Sequence, residues 1–311
     1  MRQSREEGLE HGRAGNSMTA AATRPGQDRA VLISGASTGI GAACALGLDA
    51  LGFRVFAGVR RGADGSALQQ RASERLTAVA LDVTDAASIA GATRTVTAVV
   101  GGAGLAGLVN NAGIAVPGPL EFLPIADLRR QLEVNVVGQV AVTQGFLPLL
   151  RAARGRIVNM GSIGGRMASP FVGAYAASKF ALEALTDALR VEVRPWGIHV
   201  SIIEPGAIAT PIWQKSTQEA NRLRDGLPPE ATRLYGKALE AMRKGAAWAE
   251  RDAIPPDAVV AAVVHALSAP RPRTRYVIGK RAKMQAVIAR WLPDRARDRL
   301  LTRVLRLPDQ A

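Results

Sequence analysis

Cysteine is almost missing from this chain of 311 residues. Cys44 stands alone, so no disulfide framework exists. Histidine is nearly as scarce: His11, His199 and His265 lie far apart, and Cys and His together offer no metal-ligand spacing. Aromatic residues make up 4% and are not interleaved with basic ones, which argues against a nucleic-acid platform. There is no run of eighteen or more apolar residues, so no membrane span is expected. The first residues lack the apolar stretch of a signal peptide, and the expected compartment is the reducing cytoplasm. Acidic residues are also in short supply, 26 against 40 Lys and Arg, for a net charge of +14. The excess is mostly arginine, spread along the chain and denser at the C-terminus. The expected consequence is a weak peripheral attraction to anionic lipid, with no nucleic-acid partner.

What is present is a chain that is 48% hydrophobic, enough for a substantial core. Residues 1–28 are polar, without apolar periodicity, and read as a disordered tail. Ala30-Val31-Leu32-Ile33 has no polar alternation, which suits a strand buried on both faces of a parallel sheet. Ser34-Gly35-Ala36-Ser37-Thr38-Gly39-Ile40-Gly41 follows, then a helical pattern. Strand, glycine-rich turn and helix form the context of a phosphate cradle. Gly35 permits the turn, Gly39 lets backbone approach a pyrophosphate, and Gly41 lets the helix pack closely. Ser37, Thr38 and Ile40 complete the lining.

A second strand, Phe53 to Val59, ends at Arg60 and Arg61. An acidic residue at this place would hold a ribose 2′-hydroxyl; an arginine instead suits a 2′-phosphate. Arg60 therefore favours NADP over NAD, unless both arginines are only solvated charges. A third strand, Leu76 to Val83, carries Asp82, which either accepts from an adenine amino group beside Val83 or caps a helix starting near Ala86. A fourth, Leu105 to Val109, runs into Asn110-Asn111-Ala112-Gly113, where Asn111, Ala112 and Gly113 let a cofactor lie against the backbone.

From Pro124 to Arg151, Leu128, Leu132, Val136 and Val140 recur every four residues, with Asn135 beside that stripe. A polar amide there must find a partner. A fifth strand, Ile157 to Met160, leads to Ser162, whose hydroxyl can hold a substrate oxygen. The next helix, about Phe171 to Arg194, places Tyr175 and Lys179 one turn apart on one face. A phenol and a lysine ammonium both titrate at roughly 10 when isolated. A cation close by favours the phenolate and makes proton transfer near neutral pH feasible. A sixth strand, Ile198 to Ile203, precedes the Pro205-Gly206 turn, Ile208 and Thr210, at the strand end where open α/β sheets bind ligands.

Residues from about 207 to 250 scatter Trp213, Leu223, Leu227, Tyr235, Met242 and Trp248 among charges, as expected of a lid over an apolar substrate. A helix from Pro256 to Leu267 and a strand at Tyr276 to Ile278 complete the pattern. Seven strands alternating with helices imply an α/β fold, a doubly wound, mostly parallel sheet over residues 29–279. Residues 280–311 form a basic amphipathic extension that packs on its own domain, meets a partner subunit or lies on a membrane.

Taken in order, Gly35-x-x-x-Gly39-x-Gly41, Asp82, Asn110-Asn111-Ala112-Gly113, Asn135, Ser162, Tyr175-x-x-x-Lys179 and Pro205-Gly206 resemble the short-chain dehydrogenase/reductase family of NAD(P)-dependent oxidoreductases. Ser34 replaces the usual threonine before the first glycine and keeps the hydroxyl. The resemblance implies Tyr175 as proton donor or acceptor, Lys179 lowering its pKa and binding the nicotinamide ribose, Ser162 orienting the substrate oxygen, and Asn135 holding a water that links Lys179 to solvent. Val-Phe-Ala-Gly-Val-Arg and the late Arg-Thr-Arg-Tyr-Val-Ile-Gly look like the retinol and hydroxysteroid dehydrogenase branch, which implies a lipophilic alcohol or carbonyl substrate. A homodimer or homotetramer is implied as well. Two other readings stay open: an NAD-linked dehydrogenase of a small polyol or acyl substrate, and a dinucleotide sensor without turnover.

Overall fold

Strands buried on both faces need helices on both sides, and the computed structural model, which describes residues 29–305, has that arrangement. The first half runs β1 (Ala30–Ser34), α1 (Gly39–Ala50), β2 (Arg54–Val59), α2 (Gly62–Gln69), β3 (Leu76–Ala80), α3 (Ala86–Val100) and β4 (Gly107–Asn110). The second runs α4 (Ile125–Leu132), α5 (Gly138–Ala153), β5 (Arg156–Met160), α6 (Gly173–Glu192), β6 (His199–Pro205), α7 (Ile212–Asp225), α8 (Pro229–Arg251), α9 (Asp257–Ser268), β7 (Arg275–Ile278), α10 (Lys280–Trp291) and α11 (Asp294–Val304). The expected tail at 1–28 and the last residues of the extension lie outside the described residues.

All seven strands pair in parallel, in the order β3-β2-β1-β4-β5-β6-β7. Alternate residues of β1 supply two cores. Val31 and Ile33 pack with α1 and α9, whereas Leu32 packs with α3 and α5. Cys44, 1% exposed, faces the first of these cores from α1. Strand order reverses between β1 and β4, and the crevice at their carboxyl ends is where such sheets take ligands.

The helical pattern expected from Pro124 to Arg151 is a helix over Ile125–Ala153. It is continuous over 29 residues, but a π-turn, Glu133–Val137, separates α4 from α5. One extra residue in that turn sets Asn135 inward, fully buried. By length and composition this helix could cross a bilayer; it lays Val142, Phe146 and Leu150 on the sheet.

Several boundaries differ from expectation. β3 stops at Ala80, leaving Asp82 in the turn beyond it. Pro228-Pro229 opens α8, since a proline at the first helical position loses no hydrogen bond. β6 runs through Pro205, and Gly206 still donates to Ile278 O at 3.0 Å, so the chain turns only beyond it.

Candidate active site

The turn after β1 is built on two glycines in the left-handed region, Gly35 at φ 65° and Gly39 at φ 60°. A Cβ on Gly35 would sit 2.7 Å from Ala112 Cα, so the β1 and β4 ends touch here. The Ser34 hydroxyl joins them, accepting from Asn111 N at 3.0 Å and Ala112 N at 3.1 Å. The Asn111 amide donates to Ser34 O and Gly35 O, at 3.1 and 3.0 Å. Thr210 closes the far side: a Cβ on Gly39 would lie 3.2 Å from its Cβ.

Asn135 sits behind this turn. Its Oδ1 accepts from Ile114 N at 2.8 Å, and its Nδ2 donates to Ile114 O and to Ser178 Oγ, both at 3.0 Å. Ser178 in turn donates to Tyr175 O at 2.7 Å. Gln131, one turn earlier, holds Val116 N and Ile114 O at 2.7 and 2.9 Å. Gln131 and Ser178 were missed in the sequence, although each lies four residues or fewer from a chosen residue. The Asn135 amide is occupied by Ile114 and Ser178 and makes no hydrogen bond to Lys179.

Ser162 follows β5 and accepts from Gly164 N at 3.0 Å. A Cβ on Gly164 would lie 3.4 Å from both Ser162 Oγ and Tyr175 Cε1, so serine and phenol share one small space. Lys179, 5% exposed, donates to Met160 O at 2.7 Å, and its Nζ lies 5.7 Å from the Tyr175 ring centroid. Burial pulls the Lys179 ammonium down to about 8, while the charge of Glu183 holds it up. Burial pushes the Tyr175 phenol above its ordinary value, and Ser162 offsets only part of that. Set against the expectation that Lys179 lowers the phenol's pKa, the net direction in this geometry is upward. The ammonium is turned to the Met160 carbonyl, and desolvation dominates.

Asp82 does not cap α3. Asp85 does, accepting from Ala87 N at 3.0 Å. Asp82 Oδ1 takes the Thr84 N–H and hydroxyl at 2.9 and 2.8 Å. Burial works to raise its pKa, but these bonds and the charge of Arg60 overcome it and hold the carboxyl below the usual range. Val83 is buried beside it. Arg60 lines a pocket of about 460 Å³ with Thr84, Ile114, Arg129, Arg130, Glu133 and Val134. Arg129 and Arg130 bring two further guanidinium groups that reading by strand ends does not reach, because they come from a helix far along the chain, and Arg130 is paired with Asp127 and Glu219.

A nicotinamide dinucleotide fits this donor set on three counts. The first turn of α1 has no side-chain cap and no acidic residue, so its N–H groups face the glycine turn unopposed. Lys179 is buried with three donors and, among the described residues, Met160 O as its one hydrogen-bond acceptor. Asp82 keeps Oδ2 beyond the oxygen held by Thr84. A Cβ on Gly113 would lie 3.3 Å from Asn135 Oδ1, Ile40 packs on the core shared by α1 and α9, and Gly206 faces Ala282 of α10.

Tyr235 of α8 packs edge-on against Phe122 and Phe171, each at 6.0 Å between centroids, and donates to Glu121 at 2.6 Å. Val116, Leu123 and Ala174 form an apolar cluster with Leu223 of α7. Helices α7 and α8 thus pack apolar residues on the segment 116–123 and on the entry to α6.

The family described as short chain dehydrogenase matches residues 29–221. The chain is 41% identical to retinol dehydrogenase 5 of Mus musculus over 92% of both chains. It is 40% identical to 17-beta-hydroxysteroid dehydrogenase type 6 of Homo sapiens, over 92% of this chain and 91% of that one. A short chain dehydrogenase from Burkholderia cenocepacia, solved in complex with NADP, superposes with a TM-score of 0.67 at 26% identity, covering 91% of this chain and 99% of its own.

Proposed function

The chain belongs to the short-chain dehydrogenase/reductase family, in its retinol and hydroxysteroid dehydrogenase branch, and from that premise we propose that it interconverts a lipophilic alcohol and its ketone or aldehyde with NADP(H). The observation carrying this reading is the convergence of Ser162, Tyr175 and buried Lys179 at the β1–β4 crevice, with apolar residues of α7 and α8 packed on the entry to α6. When bound, the dinucleotide supplies or accepts the hydride. Ser162 Oγ holds the substrate oxygen and Tyr175 Oη gives it a proton in reduction or removes one in oxidation. Lys179 binds ribose hydroxyls with the donors that Met160 O leaves, and its charge favours the phenolate whenever the proton departs. Asn135, through Ser178 and Ile114, fixes the α6 turn on which Tyr175 stands. It is a positioning residue in this reading, with any water link to Lys179 made by groups other than its amide.

NADP is preferred over NAD because Arg60 and Arg129 border the pocket beside Asp82, where a 2′-phosphate would be neutralised. A relative solved with NADP supports the same choice. Exposed Val137, Phe180, Leu185 and Val191 on the long helices favour a homodimer or homotetramer. The cytoplasm is the proposed compartment, with the exposed apolar and basic residues of α10 and α11 favouring weak contact with an anionic membrane.

The test is a panel of lipophilic alcohols and carbonyl compounds, small polyols and acyl substrates, each assayed with both dinucleotides. Turnover confined to the small substrates, or none at all with intact dinucleotide binding, overturns the reading. Arg60→Asp should shift the NADP-to-NAD ratio of kcat/KM by on the order of ten-fold or more; an unchanged ratio removes the 2′-phosphate assignment.

A further inference from the structure

Helix α7 is held by three tethers. Arg222 pairs with Asp127 at 2.8 Å and with Glu219 at 2.7 Å, and Glu219 also meets Arg130, binding α7 to α4. Trp213 Nε1 donates to Ile208 O at 2.8 Å, binding its first turn to the segment after β6. The third tether is Lys215, whose Nζ donates to Thr38 Oγ1 at 3.1 Å. Thr38 is the residue directly before α1 and makes no side-chain cap to that helix.

This last contact is chemically odd. An ammonium reaches across 177 positions of sequence to a neutral hydroxyl on the surface. It has no carboxylate partner among the described residues, although α7 itself carries Glu219 and Asp225. A bond of that kind contributes little in water. The place where it lands is informative: the glycine turn, facing the uncapped N–H groups of α1, with no acidic side chain in that first turn. An exposed cation and a helix N-terminus directed at one spot make a site for an anion.

We propose that Lys215 is a dinucleotide-binding residue, which leaves the Thr38 hydroxyl for the dinucleotide phosphates and thereby docks α7 onto the bound cofactor. The inference rests on the reading above that a nicotinamide dinucleotide occupies the glycine turn. Exchange of a neutral hydroxyl for a phosphate oxygen gives the ammonium an acceptor of opposite charge, which adds a direct coulombic attraction to the hydrogen bond.

Lys215 is exposed, so its replacement leaves the fold intact. NADPH binding is measured by quenching of tryptophan fluorescence, with Trp213 close by as donor, for wild type, Lys215→Gln and Lys215→Arg. Trypsin digestion of the same proteins, with and without NADPH, follows cleavage after Arg222 and Arg224 in α7. Lys215→Gln should weaken NADPH roughly ten-fold, with the loss shrinking as salt is added, while Lys215→Arg stays within about two-fold of wild type. NADPH should protect α7 from trypsin in wild type and Lys215→Arg but not in Lys215→Gln. Equal affinity and equal protection in wild type and Lys215→Gln overturn the inference and leave the dinucleotide reading standing. Failure of wild type to bind NADPH or NADH overturns the dinucleotide reading itself.

Discussion

A phenol and an ammonium one turn apart on α6 meet opposite demands from the same burial. Desolvation disfavours the charged form of each, so Tyr175 is pushed up while Lys179 is pulled down to about 8. Tyr175→Phe removes the transferable proton without removing the ring, and turnover should drop on the order of 10²-fold or more while dinucleotide affinity is kept. Near-normal turnover in a steady-state assay would sink the assignment. Glu183, one turn beyond Lys179, is itself pushed up to about 7, by burial first and then by the charge of fully buried Glu204, against the opposing pull of Arg275 and Arg166. Arg275 bonds Glu183 at 3.2 Å and Asp187 at 2.7 Å, and Arg166 bonds Glu204 at 2.5 Å. As pH rises through about 8 the Lys179 ammonium discharges, and kcat/KM for carbonyl reduction should fall. Glu183→Gln withdraws a supporting negative charge, so the fall should begin at lower pH; a pH–rate profile identical to wild type would rule this coupling out. The sign for stability is the reverse. Because the folded value lies below the ordinary lysine value of 10.5, the unfolded chain binds more protons between about 8 and 10.5, and this group's contribution to stability rises with pH across that window.

At the scale of elements, the strands and the phosphate turn were legible because apolar runs and glycine spacing are local signals. The π-turn at Glu133–Val137 was not. Leu128, Leu132, Val136 and Val140 keep their four-residue rhythm straight through it, so periodicity conceals the extra residue that turns Asn135 inward. Asp82 was half legible. It was expected within the third strand and lies in the turn beyond β3, and Asp85 takes the helix-capping role. Arg129 and Lys215 reach the crevice from α4 and α7, and no local pattern marks a side chain that arrives by tertiary packing. The extension resolves into α10 and α11, which carry eight Lys or Arg against two Asp. Arg281 stacks on Trp248 at 3.8 Å and pairs with Asp252 at 2.8 Å, fastening α10 to the end of α8. Met284, Val287 and Trp291 remain exposed. Deleting the chain after Lys280 should reduce sedimentation with anionic vesicles or change the oligomer measured by light scattering. No change in either would leave α10 with a packing role alone.

For the whole molecule, one sheet with a reversal between β1 and β4 makes the reactive crevice the seam of two halves. The seam is stitched by Ser34 and Asn111, so cofactor binding and cohesion of the halves draw on the same atoms. The lone thiol reports on that cohesion. Cys44 lies under α1 against the sheet, and burial raises its thiol to about 12, so the nucleophilic thiolate is suppressed while the fold is closed. Alkylation of the native protein should run roughly 10³-fold or more slower than that of a free thiol, and should quicken with urea in step with unfolding followed by circular dichroism. Fast labelling without denaturant would contradict the burial. With no second sulfhydryl to confuse the signal, the chain carries a built-in stopwatch for its own breathing, and a mass shift of one adduct counts each molecule that has opened.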